Sequence, residues 1–249
     1  MMFARGQCVF RSITPILIFV LCGISNYALS EDVNYLVVDE IAKPFQITHD
    51  GQSQGGIVSD IVDKIFEDSP YTIKRQTLPL NRLYSVIESG EVKNWIAYDS
   101  KVWNSLKMWR HLIDEPLFPV THSFLTCQNG MHPPINSVDD IKQQRIAIIK
   151  GFDYPELEVL QKKNQLELVS VNNYTQGIKL TALNRVDGFA EMDLRLRFTI
   201  KNESISQPCL HFTDMSQIIP SYSIYLSADK NSNPALKNTP NLLSKLTPK

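Results

Sequence analysis

Cysteine is scarce in this chain, and histidine is never clustered. The 249 residues hold four cysteines and five histidines. No pair of them has the spacing of a zinc site, so no metal centre is expected. No apolar run reaches the roughly 20 residues that a membrane-spanning helix needs. No basic run breaks a balance of 25 Lys+Arg against 26 Asp+Glu. Nucleic acid and anionic membrane surfaces therefore find no electrostatic footprint here, and neither is expected as a partner. No internal repeat or low-complexity segment is present. No nucleophile and base stand at a catalytic spacing; an enzyme would need a pair such as His122 and Glu191, so no enzymatic activity is expected.

What is present begins at the N-terminus. Arg5 and Arg11 give a basic start with no acid before Glu31. A short apolar run follows over 16–22, and Ala28-Leu29-Ser30 places small residues at the two positions a signal peptidase reads. This pattern reads as a secretory signal peptide over residues 1–30, cleaved near Ser30, with a periplasmic mature chain. Cys22 follows Leu21, whereas a lipidated cysteine is preceded by a small residue, so lipid attachment is not favoured. Removing Arg5 and Arg11 leaves 23 Lys+Arg against 26 Asp+Glu, a net charge of −3. Cys127 and Cys209 remain. In an oxidising compartment an even pair favours a disulfide; the alternative is two buried thiols.

Along the mature chain, strand and helix signals alternate. "YLVVDEIAKPF" (35–45) reads as a buried strand ending in a polar turn. "GGIVSDIVDKIFED" (55–68) repeats Ile57, Ile61, Ile65 and Val58, Val62 at helical spacing. "YTIKRQTL" (71–78) reads as a strand, "NRLYSVIESGEV" (81–92) as a helix stopped by Gly90, and "NWIAYDS" (94–100) as a third strand. After Pro116 and Pro119 the strand "THSFLTC" (121–127) leads into a loop. "SVDDIKQQ" (137–144) opens with Ser137 three residues before Asp140, a loose capping box. The alternation then restarts: strand "RIAIIKG", helix "YPELEVLQKKNQ", strand "LELVSV", helix "YTQGIKLTALNR", strand "VDGFAEM". Such alternation implies mostly parallel sheets covered by helices, in two α/β lobes with a break near 117–121. Ligands in open α/β sheets sit at the carboxyl ends of strands.

The order of these segments resembles the bacterial extracellular solute-binding proteins of family 3, the amino-acid-type periplasmic binding proteins. "YLVVDEIAKPF" is similar to the family's opening strand with Pro-Phe. "GGIVSDIVDKIF" stands where the family has "G-[FY]-x-x-D-[LI]", and "LPLNRLYSVIESGEV" resembles its second strand–helix. "VDDIKQQRIAIIKGFDY" is similar to "D-L-x-G-x-x-[IV]-[GA]-V-x-x-G", and "LNRVDGFAEMD" to "L-x-x-[GN]-R-[VA]-D-[AG]". "IDEPLFPVTHSFL" and "YSIYLS" match the outgoing and returning crossover regions. The resemblance covers nearly all of 33–249. It implies an α/β, two-lobed periplasmic-binding-protein fold of type II, with two crossover segments and a ligand cleft between the lobes. The crossovers fall near 117–121 and 218–222. Lobe 1 is then 31–117 plus 222–249, and lobe 2, counted with both crossovers, is 118–221. The implied function is capture of a small polar, amino-acid-like solute by a monomer, with an ABC-type transporter or a sensor as membrane partner and no cofactor. A degenerate or sensory ligand-binding domain is the alternative.

The chain also departs from the family. Where amino-acid binders carry "T-x-E-R", this sequence has "VWNSLKMWRHL", which aligns Lys107 on the carboxylate-gripping Arg and leaves Arg110 three residues away. Lysine binds a carboxylate as a point charge, without the guanidinium fork. The acid expected to hold a ligand amine aligns on Met192, between Glu191 and Asp193, and the covering aromatic aligns on Leu80. Glu191 and Asp193 alternate with Met192 on the strand, so they are expected to share one face. Arg82 opens a helix, against the helix dipole, and is a candidate ligand contact on that ground. Asp39 and Tyr98 end strands at the same edge. Gly151 to Tyr154 stand at a helix entrance, where free N–H groups can hold an anion or Asp153 can cap the helix from within, and Phe152 or Tyr154 can wall the cleft. Asp187 and Gly188 read as structural parts of a turn. The expected ligand-binding set is Asp39, Arg82, Tyr98, Lys107, Phe152, Tyr154, Glu191 and Asp193.

Overall fold

A computed structural model describes residues 31–67, 69–127, 134–205 and 208–232. The expected signal peptide lies outside the described residues. The chain opens with β1 (Glu31–Val38), a short hairpin of β2 (Thr48–His49) and β3 (Gln52–Ser53), then α1 (Ile57–Phe66) and β4 (Tyr71–Leu78). Helix α2 (Leu80–Glu88), β5 (Trp95–Ser100), β6 (Arg110–Leu112) and β7 (Phe118–Val120) follow. Next come β8 (His122–Cys127), a 3-10 turn at Val138–Ile141, β9 (Arg145–Ile149), α3 (Pro155–Lys162), β10 (Glu167–Val171) and α4 (Tyr174–Ala182). The described chain ends with β11 (Gly188–Met192), α5 (Asp193–Asn202), β12 (Leu210–Asp214) and β13 (Tyr222–Asp229).

The strands form two main sheets, one per lobe. The first has the order β4-β1-β5-β13-β6, with β7 also paired to β13. The second has the order β10-β9-β11-β8-β12. Helical crossovers explain the parallel pairs β1–β4, β1–β5, β9–β10 and β9–β11. The sheets are mixed rather than mostly parallel. Each receives strands that arrive without a helical crossover: β13 runs antiparallel to β5, β6 and β7, and β8 antiparallel to β11 and β12.

Burial follows the apolar periodicity. Helix α1 turns Val58, Val62 and Ile65 onto β1, whose residues from Tyr35 to Val38 are all buried. Pro155 opens α3, where its missing N–H costs nothing. Asn173 caps α4 by accepting from the Gln176 backbone at 2.9 Å. The 3-10 turn at 138–141 replaces the expected short helix, and the Asp140 carboxylate accepts from the Ser137 backbone at 2.9 Å. A side chain at Gly188 would begin 2.2 Å from the Phe124 ring, so glycine lets β8 and β11 close. Asp187 accepts from the Arg145 backbone N–H at 2.7 Å, which ties the turn before β11 to β9. Cys127 and Cys209 are joined by a disulfide between residues 82 apart in sequence.

Candidate functional site

The carboxyl ends of β1 and β5 in lobe 1 face those of β9 and β11 in lobe 2. Between them lies a cavity of about 50 Å³. That space holds roughly three or four waters. Its wall is mainly apolar: Leu36, Val38, Leu80, Leu83, Ala97 and Met192. Lobe 2 supplies one polar side, His122, Asp153, Glu191 and Arg195, and lobe 1 adds Tyr98, Asp99 and Ser105.

Arg195 is the centre of that polar side. It lies in the first turns of α5, is 2% exposed, and follows Glu191 by four residues. Its Nη1 donates to Glu191 Oε1 at 3.2 Å, and its Nη2 donates across the lobes to the Tyr98 hydroxyl at 3.2 Å. Two aromatic faces enclose the guanidinium, with Cζ 4.9 Å from the Phe45 ring centre and 4.6 Å from that of Phe152. Such faces hold a cation through the ring quadrupole. Burial works against the Arg195 charge, but Tyr174 and Glu191 beside it outweigh burial and keep it protonated. Nε has no hydrogen-bond partner.

Glu191 is saturated by its own chain. Oε1 also accepts from the Met192 backbone at 2.7 Å, and Oε2 accepts from the Tyr154 hydroxyl at 2.7 Å. Burial, then Glu191, push the Tyr154 hydroxyl well above its ordinary pKa, so it donates as a neutral group. His122 packs against Tyr222, with ring centres 5.4 Å apart, and its Nδ1 has no partner. Burial lowers the His122 pKa to about 4 against the pull of Glu191, so the ring is neutral at pH 7. Asp99 lies 2.9 Å from Arg110 Nη1, an ion pair with both side chains buried. Burial raises Asp99 to about 6, although Arg110 pulls it down.

Four residues of the expected set line this cavity: Tyr98, Phe152, Tyr154 and Glu191. The other four are elsewhere. Arg82 is half exposed and donates to both Glu91 oxygens, at 2.7 and 2.9 Å. Helix α2 turns Leu80, Leu83 and Tyr84 to the cavity and so carries Arg82 away from it. Lys107 is exposed outside the cavity. Arg110 does not replace it there, since it serves Asp99 and donates to the Ser100 and Trp103 carbonyls at 2.9 and 3.0 Å. Asp39 borders a separate surface groove that includes Thr48 and Asn173. Asp193 does not share a strand face with Glu191, because β11 ends at Met192 and Asp193 starts α5. There it takes the Ser123 hydroxyl and Arg197 Nε, each at 2.7 Å.

Sequence reasoning missed Arg195. The one available signal was its spacing of four from Glu191, which pairs side chains only when a helix begins at 193. Asp153 turned out to join the lobes rather than cap its own helix. Its Oδ2 accepts from the Asn104 and Ser105 backbones at 3.1 Å each and from the Ser105 hydroxyl at 2.7 Å. Among the described residues, no group of three His, Cys, Asp or Glu is placed to hold a metal ion.

No protein-family model matches the sequence, and no curated protein matches it. Solved structures do. The substrate-binding protein of an amino acid ABC transporter superposes with a TM-score of 0.65 at 16% identity, over 86% of this chain and 92% of that one. A histidine kinase sensor domain with similarity to periplasmic binding proteins gives 0.68 at 15%, over 88% and 90%. The Bordetella pertussis BvgS periplasmic VFT2 domain gives 0.64 at 14%, over 86% and 92%. The chain has the two-lobed α/β fold that these binding proteins and sensor domains share.

Proposed function

We propose that this protein is an exported binding protein that takes a small solute between its lobes, outside the cytoplasm, and hands it to an ABC-type transporter. The observation that carries this reading is the cavity itself. Both lobes line it, and Arg195 of lobe 2 reaches Tyr98 of lobe 1 across it. A solute seated there adds contacts that exist only when the lobes are together, so it shifts the population toward closure. The amino-acid-like solute of the sequence reading lacks its two anchors: Lys107 stays outside, and Met192 presents a thioether where an acid was expected.

Titration calorimetry and thermal shift against amino acids, amines, organic acids, amides and small peptides test the reading. Heat and a raised melting temperature with at least one small solute are expected. A flat response across the whole panel overturns it. A sensory role is the second reading, favoured by the likeness to the kinase sensor domain. Uptake of the identified solute by cells with and without the gene separates the two, because a sensor leaves uptake unchanged.

A further inference from the structure

Granted that the cleft binds a solute, its hydrogen-bonding and charge state specify the chemistry of that solute. Three carboxylates line the cavity: Glu191 is held by Tyr154, Met192 and Arg195, Asp153 by Asn104 and Ser105, and Asp99 is ion-paired with Arg110 and accepts from the Ser100 backbone through Oδ1, while its buried Oδ2 has no hydrogen bond. An ammonium group entering here meets the Arg195 cation and, as its one free acceptor, an Asp99 oxygen whose charge Arg110 already balances, whereas the N–H of an uncharged amide fits that oxygen without adding a charge. The surplus runs the other way. Arg195 carries five N–H donors and uses two, and its buried Nε has no partner. His122 Nδ1, buried and unpartnered on the same wall, donates or accepts according to its tautomer.

Charge removes the second option. Arg195 balances Glu191, Arg110 balances Asp99, and Asp153 leaves one net negative charge beside the cavity. A carboxylate solute would bring another anion beside Glu191 and Asp153 into a small, mainly apolar space, where an unbalanced charge is costly. We propose that the cleft takes a small uncharged solute with a short apolar body and one hydrogen-bond acceptor, such as a short-chain amide or ketone. Its acceptor takes the free Arg195 donor, and its body lies against Leu36, Leu80 and Met192. A cavity of about 50 Å³, as the lobes stand, suits a short body of about two to four carbons.

The test compares four compounds of similar size by calorimetry on the mature chain at pH 7.5: propionamide, propionate, propylamine and alanine. Propionamide is expected to bind with a Kd no tighter than about micromolar, the ceiling for so few atoms. The other three are expected to be about tenfold weaker or more. The variant Met192→Asp, which restores an acid, is expected to turn the preference toward propylamine. The double variant Glu191→Gln with Arg195→Met, checked for folding by circular dichroism, is expected to lose propionamide. Binding of propionate, propylamine or alanine as tight as that of propionamide overturns the inference and leaves solute binding standing. So does retention of full propionamide affinity by the folded double variant. No heat from these four, with a response to a charged solute of the wider panel, also overturns the inference alone. No heat from any compound overturns both.

Discussion

The guanidinium of Arg195 is held in a setting where its charge cannot be lost and its partner cannot be spared. Glu191 is 1% exposed and shares its oxygens among three donors. Arg195→Met is therefore expected to strand a buried carboxylate and cost about 3–5 kcal/mol. Adding Glu191→Gln removes the stranded charge, and most of the loss is expected to return. Urea unfolding of both variants measures this, and a double variant no more stable than the single one contradicts it. Two neighbours, His122 and Asp99, set an opposed pH dependence. The folded His122 binds its proton less tightly than the unfolded side chain, so its contribution is present above pH 6.5 and is lost as pH falls through about 4. Folded Asp99 binds its proton more tightly, so its contribution is present below pH 3.8 and is lost as pH rises through about 6. Each shift is on the order of 3 kcal/mol, and the slopes oppose each other between roughly pH 4 and 6. Glu191, Arg195 and Tyr222 face His122 in both protonation states. His122→Gln is expected to expose the Asp99 slope, so that the variant gains stability as pH falls from 6 to 4 while the wild type stays nearly flat. Parallel profiles for the two proteins would count against this. At this scale the sequence revealed the groups bound to strand ends, because Tyr98 and Glu191 point where their strands carry them. It did not reveal cations on irregular or helical segments. The rotation of α2 decides Arg82, and the turn between β5 and β6 decides Lys107 and Arg110.

Elements show the same division between local and non-local causes. Helices α1 and α4 were legible because their apolar positions repeat at helical spacing, and β1 because its apolar run is buried on both faces. Helix α5 was not legible. Leu194, Arg195, Leu196 and Arg197 alternate with a strand-like period, yet the segment is helical and buries Arg195, Leu196 and Thr199. Tertiary partners overrode the local pattern, since Arg195 finds Glu191, Tyr98, Phe45 and Phe152 only in a helix. The antiparallel pairing of β8 with β12 was hidden for a related reason: it joins segments far apart in sequence, and the helix that leads into β12, α5, was itself not legible. The disulfide secures that pair, because Cys127 ends β8 opposite Leu210, the residue after Cys209. Closing a loop between residues 82 apart removes chain entropy from the unfolded state. In the loop-entropy model that is about 4–5 kcal/mol of stability. Cys127→Ser with Cys209→Ser is expected to lower the urea midpoint by a corresponding amount, with the wild type matching the variant once fully reduced. A reduced wild type as stable as the oxidised one would show that the bond leaves the unfolded chain unconstrained.

For the whole molecule the decisive quantity is the balance between closed and open lobes. Two connections cross between them: the segment around β7, and the return into β13, which pair with each other through Tyr222–Val120 and Ile224–Phe118. Rotation about so narrow a junction is the expected way for the cleft to open. Three clasps oppose it. Arg195 bonds Tyr98, the Tyr174 hydroxyl bonds the Ile41 carbonyl, and Asp153 takes Asn104 and Ser105. The Asp153 clasp is the one whose loss leaves both lobe cores intact, since its side chain is only half-buried and caps a surface turn. Its three charge-assisted hydrogen bonds are together worth on the order of 2–3 kcal/mol after solvent screening. Removing that much moves a two-state equilibrium by roughly thirty- to more than a hundredfold. Asp153→Ala is therefore expected to raise the radius of gyration measured by small-angle X-ray scattering without added solute, with an unchanged circular dichroism spectrum. Solute is expected to restore the compact value, at an apparent affinity weakened by the cost of closure. A variant as compact as the wild type would show that Arg195 and Tyr174 hold the lobes together unaided. Closure would then depend on the same guanidinium that offers its free donor to the solute, and solute binding could not change without changing closure as well.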